Sequence, residues 1–377
     1  MLNERKEGSV IAAEDLRAVL LQFDIGGGFT EISEPQELTD GHINHTYLIE
    51  ARGEKSAARG EDTRRFVLQK INTFVFRRPA ELMENIVRVT GYLKQRGQGA
   101  LRLFPTLEGK WYYIDAAGDY WRCYNYVENT YSLQAAGSPR DAYRAAKAFG
   151  AFQRMLDGFP IAGLHETIPD FHNTARRYEA LEQAVAENAA GRKSEVEAEI
   201  SFALARKADA GRLLALAGTP ELPLRVTHND TKLNNVLFDR DTHEPVCVVD
   251  LDTIMPGLSL YDYGDSLRFL GNTAAEDERD LKKVRFSMPL FQAYTRGYLE
   301  AAAGALTQTE IHLLPFSVKL MTYECGMRFL TDYLGGDVYF RIRRPDDNLA
   351  RCRTQFALVE DIEALLPEME GFVAELA

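Results

Sequence analysis

The stretch that most restricts the fold of this chain is a polar loop between two apolar segments, R-V-T-H-N-D-T-K-L-N-N-V-L-F-D at residues 225–239. Its two ends predict short buried strands. The loop between them contains a carboxylate at Asp230, a cation at Lys232 and an amide at Asn235. Polar groups clustered in a loop that two buried segments hold in place indicate a site for chemistry rather than for packing.

A second acid lies where the next apolar strand ends, because residues 246–249 are followed by Asp250. A carboxylate at the end of a buried strand is costly unless it is paired or binds a metal. If the two strands form a hairpin, Asn235 and Asp250 come together as oxygen ligands of the kind that Mg²⁺ accepts beside water and phosphates. Asp252 is an alternative or second ligand. This set of groups indicates phosphoryl transfer, which needs an oriented hydroxyl, a metal and nearby cations.

The segments before and after about residue 128 differ in their periodicity. Residues 45–50, 65–71, 110–114 and 120–127 read as strands, and residues 79–94 read as one long helix. Beyond them, helical spacing of apolar residues predicts helices over 141–156, 173–190, 195–217, 278–303, 307–334 and 348–365. A chain of 377 residues also exceeds the size of most single cores. We therefore expect an α+β chain with a small sheet lobe over residues 1–128 and a larger, mainly helical lobe over residues 129–377.

Composition excludes several classes of partner. The 44 Lys and Arg against 56 Asp and Glu give a net charge of −12, which argues against nucleic acid or an anionic membrane as the main partner. No apolar run is long enough to span a membrane, and the charged N-terminus M-L-N-E-R-K is unlike a signal peptide. The 4 cysteines form no C-x-x-C pair, so we expect a cytoplasmic protein without a cysteine zinc site. A monomer is the expected state.

The pattern H-x-D-x-K-x-x-N at residues 228–235, followed by the strand-terminal Asp250, resembles the protein-kinase catalytic loop and its metal-binding Asp. The resemblance implies that Asp230 is the base or the residue that orients the hydroxyl. It implies that Lys232 neutralises charge on the transferred phosphoryl group. It also implies that Asn235 and Asp250 hold Mg²⁺. A plain polar hairpin turn is the alternative interpretation.

A kinase-like fold also implies a phosphate-covering loop, for which residues 39–44, T-D-G-H-I-N, are the candidate. This segment has a single glycine and so departs from the glycine-rich loop of protein kinases. Lys70, at the end of F-V-L-Q-K, is expected to contact the ATP phosphates, with Gln69 as the alternative if the register shifts by one residue.

The other nucleotide contacts implied by the kinase-like fold lie on the helix and the last strand of the small lobe. Glu84, or alternatively Glu81, is expected to pair with Lys70. The main chain of Tyr126 and Val127 is expected to meet the adenine.

No D-F-G or A-P-E motif of protein kinases is present, and the chain resembles the aminoglycoside phosphotransferase family instead. Within it, four segments are most similar to the N-acetylhexosamine 1-kinases: G-H-I-N-H-T-Y (41–47), V-L-Q-K-I-N (67–72), T-H-N-D-T-K-L-N-N-V-L-F-D (227–239) and V-D-L-D-T-I-M-P-G (249–257). The resemblance implies a protein-kinase-like fold of two lobes. It also implies phosphorylation of the anomeric hydroxyl of GlcNAc or GalNAc with ATP and Mg²⁺.

The same resemblance implies that His42, Arg328 and Tyr339 contact the sugar. Because the sugar is neutral, polar hydrogen-bonding groups are expected to recognise it. The alternatives are a plain loop residue for His42, a helix-surface ion pair for Arg328 and core packing for Tyr339. Asp262 or Asp265, in Y-D-Y-G-D, is expected to bind backbone N–H groups rather than substrate.

Two other functions remain open on the sequence. The alternative acceptor is an aminoglycoside, choline or homoserine, and a cationic acceptor would need further carboxylates around Asp230, such as Asp262, Asp265 or Glu324. A nucleotide-binding regulator without turnover is the other class. A regulator is expected to have lost the base or a metal ligand, whereas this chain keeps Asp230, Asn235 and Asp250.

Overall fold

The computed structural model describes residues 11–26, 29–38, 43–53 and 63–377. The chain divides into two compact units, the first over residues 1–129 and the second over residues 130–377. Each unit has its own sheet and helices.

The first unit is built on an antiparallel seven-stranded sheet whose main order is β1-β3-β4-β7-β5, with β2 on β3 and β6 on β7. Its strands are β1 Phe29–Ile32, β2 Gln36–Leu38, β3 His45–Gly53, β4 Thr63–Lys70, β5 Leu103–Phe104, β6 Tyr113–Ile114 and β7 Tyr120–Asn125. Alternate residues of β4 are buried, so that Phe66 and Leu68 face one apolar cluster with Ile49 of β3 and Trp121 of β7.

The described residues of the first unit also form two helices, α1 Ala13–Leu20 and α2 Pro79–Gln95. Helix α2 begins with proline at its first position, where the missing N–H would have no helical partner. Leu82, Ile86 and Val89 follow at helical spacing and are buried. The prediction of a helix starting at Pro79 is confirmed.

The second unit is mainly helical. Its helices are α3 Pro139–Met155, α4 Thr174–Glu187, α5 Glu197–Leu204, α6 Lys207–Ala210, α7 Ser259–Leu270, α8 Met288–Ala302, α9 Gln308–Gly335 and α10 Asp347–Leu376. Helix α7 lies so close to α9 that a Cβ atom on Gly264 would overlap the carbonyl oxygen of Ser317. Glycine at this position therefore allows the close packing of the helix that carries Asp262.

Five short strands lie in the second unit: β8 Thr130–Tyr131, β9 Arg225–Thr227, β10 Val236–Asp239, β11 Pro245–Val248 and β12 Met255–Gly257. They form a three-stranded sheet in the order β11-β10-β8 and a pair of β12 with β9. Strands β10 and β11 are antiparallel, with Val236 opposite Val248. The expected hairpin is therefore present.

Three of the predicted helices were wrong in extent, and the one expected over residues 348–365 is too short, because α10 continues to Leu376. The segment 195–217 contains only α5 and α6, because its backbone leaves the helix at Ala205–Arg206 and the Arg206 guanidinium binds Glu363 of α10 at 2.7 Å. The helix expected from residue 278 begins at Met288. There the Ser287 hydroxyl caps the helix by accepting from the Leu290 N–H at 3.5 Å, and Pro289 occupies the first turn. Within the described residues, no helix is both long and apolar enough to cross a membrane.

Candidate active site

The predicted catalytic loop, residues 228–235, joins β9 to β10, and α7 fixes its backbone. The Asp262 carboxylate accepts from the main-chain N–H of His228 at 2.8 Å and from that of Asn229 at 2.7 Å. Asn229 has φ 63°, in the left-handed region that asparagine tolerates better than most residues. Ser266, one turn further along α7, donates to the carbonyl of Thr231 at 2.7 Å. The expectation that Asp262 binds backbone N–H groups is confirmed.

The His228 side chain holds the start of the catalytic loop in place. Its ring is fully buried, lies edge-on to Phe149 and Phe152, and places Nε2 2.9 Å from the carbonyl oxygen of Val249. This hydrogen bond ties the start of the loop to the residue just before Asp250. The ring is therefore occupied in holding two chain segments together.

Both carboxylate oxygens of Asp230 have a partner from the same loop. Lys232 Nζ lies 2.7 Å from Oδ1, and Asn235 Nδ2 donates to Oδ2 at 3.2 Å. Burial acts to lower the pKa of Lys232, but the charge and hydrogen bond of Asp230 outweigh it, so the pKa is raised. The Asp230 side chain keeps 24% of its surface exposed and is accessible to a hydroxyl.

The two predicted metal ligands are neighbours across the hairpin. The Val249 N–H donates to the carbonyl of Asn235 at 2.9 Å, which sets Asp250 beside the start of β10. Asp250 is exposed and has φ 59° and ψ 60°, whereas Asp252 is buried at 4% exposure. No cluster of three or more His, Cys, Asp or Glu suited to a metal occurs in the described part of the chain. A nucleotide-bound Mg²⁺ needs only one or two protein oxygens, so Asn235 and Asp250 fit that ion.

In the first unit, Lys70 ends β4 and forms an ion pair with Asp119. Asp115, whose Oδ2 accepts from the Trp121 indole at 2.7 Å, adds a second negative charge near the lysine. Glu84 faces Arg88 at 4.0 Å on its own helix. The structure thus pairs Lys70 with Asp119 rather than with the helix glutamate that the kinase resemblance implied, because the β6–β7 turn presents a closer acid.

The remaining nucleotide candidates are also engaged within the first unit. Gln69 donates to Thr46 and accepts from Arg122, both at 3.0 Å. The main-chain N–H of Tyr126 donates to the Arg65 carbonyl at 2.9 Å. Val127 follows it, half-buried, just beyond the end of β7.

Of the three predicted sugar contacts, the structure brings two together. Arg328 Nη2 lies 3.5 Å from the hydroxyl of Tyr339, and its guanidinium faces the rings of Phe171 and Phe340. Tyr339 is 71% exposed, so the alternative of core packing is excluded for it. His42, with the rest of the segment 39–42, lies outside the described residues.

The acids considered for a cationic acceptor are engaged elsewhere. Asp265 binds Arg268 at 2.9 Å. Glu324 accepts from Thr174 at 2.5 Å and lies 3.0 Å from His172. Burial acts to raise the pKa of Glu324, yet these partners and the nearby Arg328 lower it overall. Asp262 is bound to the loop backbone, so all three carboxylates already have hydrogen-bond or ion-pair partners within the protein.

Sequence reasoning did not identify two residues beside this site, His172 and Arg177. His172 bridges Glu324 to the catalytic loop, since its Nε2 lies 3.4 Å from the carbonyl oxygen of Asn229. Both residues belong to the stretch F-H-N-T-A-R-R (171–177), which reads as an ordinary helix start capped by Asn173. Only the tertiary packing of α4 against α9 reveals their position.

Comparison with known proteins places these observations in context. The model of the phosphotransferase enzyme family matches residues 34–304. An aminoglycoside phosphotransferase from Alicyclobacillus acidocaldarius is 14% identical, with a TM-score of 0.59 over 100% of both chains. A microcompartment-associated aminopropanol kinase is 14% identical, with a TM-score of 0.62 over 95% of this chain and 99% of that one. A spectinomycin phosphotransferase is 14% identical, with a TM-score of 0.59 over 96% and 100%. The kinase-like α+β fold class is therefore confirmed.

Proposed function

We propose a reaction from the premise that this chain belongs to the phosphotransferase enzyme family. As a member it is a phosphotransferase that acts on a hydroxyl group of a small molecule. Our finer proposal is an ATP-dependent kinase of the anomeric hydroxyl of an N-acetylhexosamine, GlcNAc or GalNAc. Its product would be the sugar 1-phosphate.

The observation that carries the proposal is the arrangement around Asp230. A carboxylate that is accessible, and whose two oxygens are held by Lys232 and Asn235, is suited to orient a hydroxyl and accept its proton. Lys232, protonated beside it, would balance the negative charge that develops on the transferred group. His228 and Asp262 keep the loop in place and take no proton from the substrate.

Asn235 and Asp250 are the residues that we assign to Mg²⁺. With its amide nitrogen donating to Asp230, Asn235 has its amide oxygen left as the ligand atom. When bound, the ion would neutralise the phosphate oxygens of ATP. Asp252 is the alternative ligand, although its burial makes it the weaker candidate.

We assign nucleotide binding in the first unit to Lys70, with the main chain at Tyr126 and Val127 beside the adenine. For Lys70 to reach a phosphate, it has to exchange its ion pair with Asp119 for the nucleotide. Glu84 is 54% exposed at its side chain and would become a partner of Lys70 only after such a rearrangement.

On the acceptor side, Arg328 and Tyr339 offer hydrogen-bond donors, which suits a sugar better than a cation. An amine-bearing acceptor is the second candidate, since solved relatives with this fold are an aminopropanol kinase and a spectinomycin phosphotransferase. Against it, Asp262, Asp265 and Glu324 are bound to protein groups.

The test is a panel assay with ATP and Mg²⁺ that follows ADP release over GlcNAc, GalNAc, glucose, homoserine, choline and kanamycin. Turnover confined to the N-acetylhexosamines, with an acid-labile and non-reducing product, would support the proposal. Turnover only on amine-bearing acceptors would overturn the sugar assignment and leave the catalytic residues in place. ATP binding without turnover on any acceptor would favour a nucleotide-binding regulator.

A further inference from the structure

Two arginines lie next to each other on neighbouring helices of the second unit. Arg177 is on α4, and Arg328 is on α9. Arg177 Nη2 donates to the Phe171 carbonyl at 3.0 Å, and the Arg328 guanidinium lies 5.9 Å from the ring centre of the same Phe171, so both guanidiniums contact one residue. The pKa of Arg177 is lowered, first by burial and then by the charge of Arg328, which agrees with this geometry. The Tyr339 hydroxyl, 3.5 Å from Arg328 Nη2, adds a third polar group to this cluster.

The two arginines differ from other part-buried arginines of the same unit in what they face. Arg192 binds Asp337 at 2.5 Å, Arg206 binds Glu363 at 2.7 Å, and Arg225 binds Glu310 at 2.7 Å. Among the residues that the structure describes, no carboxylate lies within 4.0 Å of Arg177 or Arg328.

One buried donor of Arg177 has no acceptor. Its Nη2 donates to the carbonyl of Phe171 at 3.0 Å, but its Nε is buried and makes no hydrogen bond to any described residue. A buried donor without an acceptor is costly, and two adjacent cations repel each other. An anion that accepts from both guanidiniums would remove the repulsion between them. The planar fork of arginine matches a carboxylate, sulfate or phosphate group.

The cluster lies beside the catalytic loop. The Arg328 guanidinium is 5.9 Å from the ring centre of Phe171. The next residue, His172, lies 3.4 Å from the carbonyl of Asn229, which immediately precedes Asp230. Glu324 and Asp170 lie within electrostatic range of Arg177, but Glu324 is hydrogen-bonded to His172 and Thr174, and neither acid forms an ion pair within 4.0 Å of either arginine.

We infer that Arg177 and Arg328 form a subsite for an anionic group on the acceptor. The preferred N-acetylhexosamine then carries a carboxylate, or a sulfate or phosphate ester, in addition to its anomeric hydroxyl. The sugar part of this inference rests on the proposed function, whereas the charge part rests on the arginine cluster alone. Arg177 acts in it as a specificity residue and takes no part in proton transfer.

The experiment compares neutral and acidic acceptors of one sugar: GlcNAc, N-acetylmuramic acid and GlcNAc 6-sulfate. We expect kcat/KM for at least one acid to exceed that for GlcNAc. In Arg177→Gln, the ratio of acid to neutral kcat/KM should fall roughly 10- to 100-fold, as expected for the loss of charged hydrogen bonds. Arg176→Gln is the matched control, because Arg176 is the preceding residue of α4, is 65% exposed and pairs with Glu179. Its ratio should not change.

Calorimetric titration of the full-length protein with the same acids and with inorganic sulfate separates this inference from the proposed reaction. Acid binding that Arg177→Gln weakens and Arg176→Gln does not would support the subsite, even if no N-acetylhexosamine were turned over and the proposed reaction failed. Sulfate that competes with ATP rather than with the acceptor would overturn the inference, as would equal acid-to-neutral ratios in wild type, Arg176→Gln and Arg177→Gln. If Arg177→Gln does not fold, Arg177→Lys replaces it, since lysine keeps the charge but loses the fork.

Discussion

At the scale of single residues, Asp230 is the group on which the proposed chemistry depends. Asp230→Asn removes the proton acceptor but keeps the shape, so the rate should fall roughly 10²- to 10⁴-fold while nucleotide affinity stays nearly constant. ADP release and calorimetric titration with ATP measure the two effects. The control is Asp241→Asn, in the exposed turn of the β10–β11 hairpin. A near-normal rate in Asp230→Asn would remove this residue from the mechanism.

Asp250 needs a substitution that respects its backbone. At φ 59° alanine would be strained, whereas asparagine tolerates this region, so Asp250→Asn tests charge with little change in conformation. We expect it to weaken Mg²⁺-dependent ATP binding and to lower the rate together. Asp252→Asn is the comparison, titrated with ATP in the presence and absence of Mg²⁺. If only Asp252→Asn lost the metal dependence, the ligand assignment would move to Asp252.

The sequence predicted spatial neighbours best where the neighbours follow from local spacing. The His228-to-Asn235 pattern and the strand-terminal Asp250 predicted a set of neighbours, and the hairpin brings Asn235 and Asp250 together as expected. The sequence did not predict the partner of Lys70, because Asp119 approaches from the turn before β7. Spacing along the chain does not indicate which acid is nearer in space.

At the scale of elements, α7 fixes the catalytic loop through the Asp262 carboxylate, which accepts from two N–H groups, and the Ser266 hydroxyl, which donates to the Thr231 carbonyl. Asp262→Asn converts the acceptor of two N–H groups into a weaker one, with an amide nitrogen on one side. We expect a loss of about 1.5–3 kcal/mol in unfolding free energy, measured by urea denaturation, with a lower rate.

The matched comparison for Asp262→Asn is Ser266→Ala on the same helix. It removes one neutral hydrogen bond to the Thr231 carbonyl. Its expected cost is smaller, about 0.5–1.5 kcal/mol. Equal losses in the two variants would show that the charge of Asp262 is not what stabilises the loop.

Helix α9 contributes a buried acid whose titration affects stability. The pKa of Glu324 is lowered below its ordinary value of 4.5 in the folded chain. As the pH falls, the unfolded chain therefore takes up a proton at Glu324 before the folded chain does. The stabilisation from ionised Glu324 is complete above pH 4.5 and is lost as the pH falls through the lower pKa of the folded chain.

Glu324→Gln should therefore lose less unfolding free energy than wild type between pH 5 and about pH 3.5. Urea titrations at several pH values measure this slope. Some slope should remain, since the pKa values of Asp265, Asp347 and Glu363 are lowered too. Identical slopes in the two proteins would contradict the assignment to Glu324.

Element boundaries were predictable where the chain carries its own start signal. Pro79 began α2 as expected, and Thr307 caps α9 with a full capping box together with Glu310. Periodicity alone overextended the helix at residues 195–217, because helical turns and a helix share the same spacing of apolar residues. The short edge strands β1 and β2 have too few residues for alternation to indicate them.

At the scale of the whole molecule, the four cysteines report on the opening of each unit. Cys123 lies in the first unit, and the other three lie in the second. Burial raises the pKa of all four, to about 12 for Cys247 and to about 11 for Cys325.

The native protein should therefore react slowly with a thiol reagent at pH 8, whereas the urea-unfolded chain should react at every cysteine. Mass spectrometry of the labelled peptides gives the rate at each site. Fast labelling of Cys123 or Cys352 in the native protein would contradict their burial.

The whole-molecule outline was accessible from the sequence because sheet and helix patterns are separated along the chain. What the sequence did not report is which side chains are brought together across elements, such as Arg177 with Arg328. Those two residues are separated by several helices, and only the packing of α4 on α9 makes them neighbours.

The residues that fix the catalytic loop and the proposed acceptor contacts lie on different elements, which affects how the sequence can evolve. The backbone of the reacting loop is held by Asp262 and Ser266, whereas Arg328 and Tyr339, the proposed acceptor contacts, lie on α9 and on the segment after it. Substitutions that alter the acceptor can therefore accumulate outside α7 while Asp262 and Ser266, which fix the loop, stay as they are. Duplicated copies of the gene would then be free to diverge in substrate without first losing the reaction.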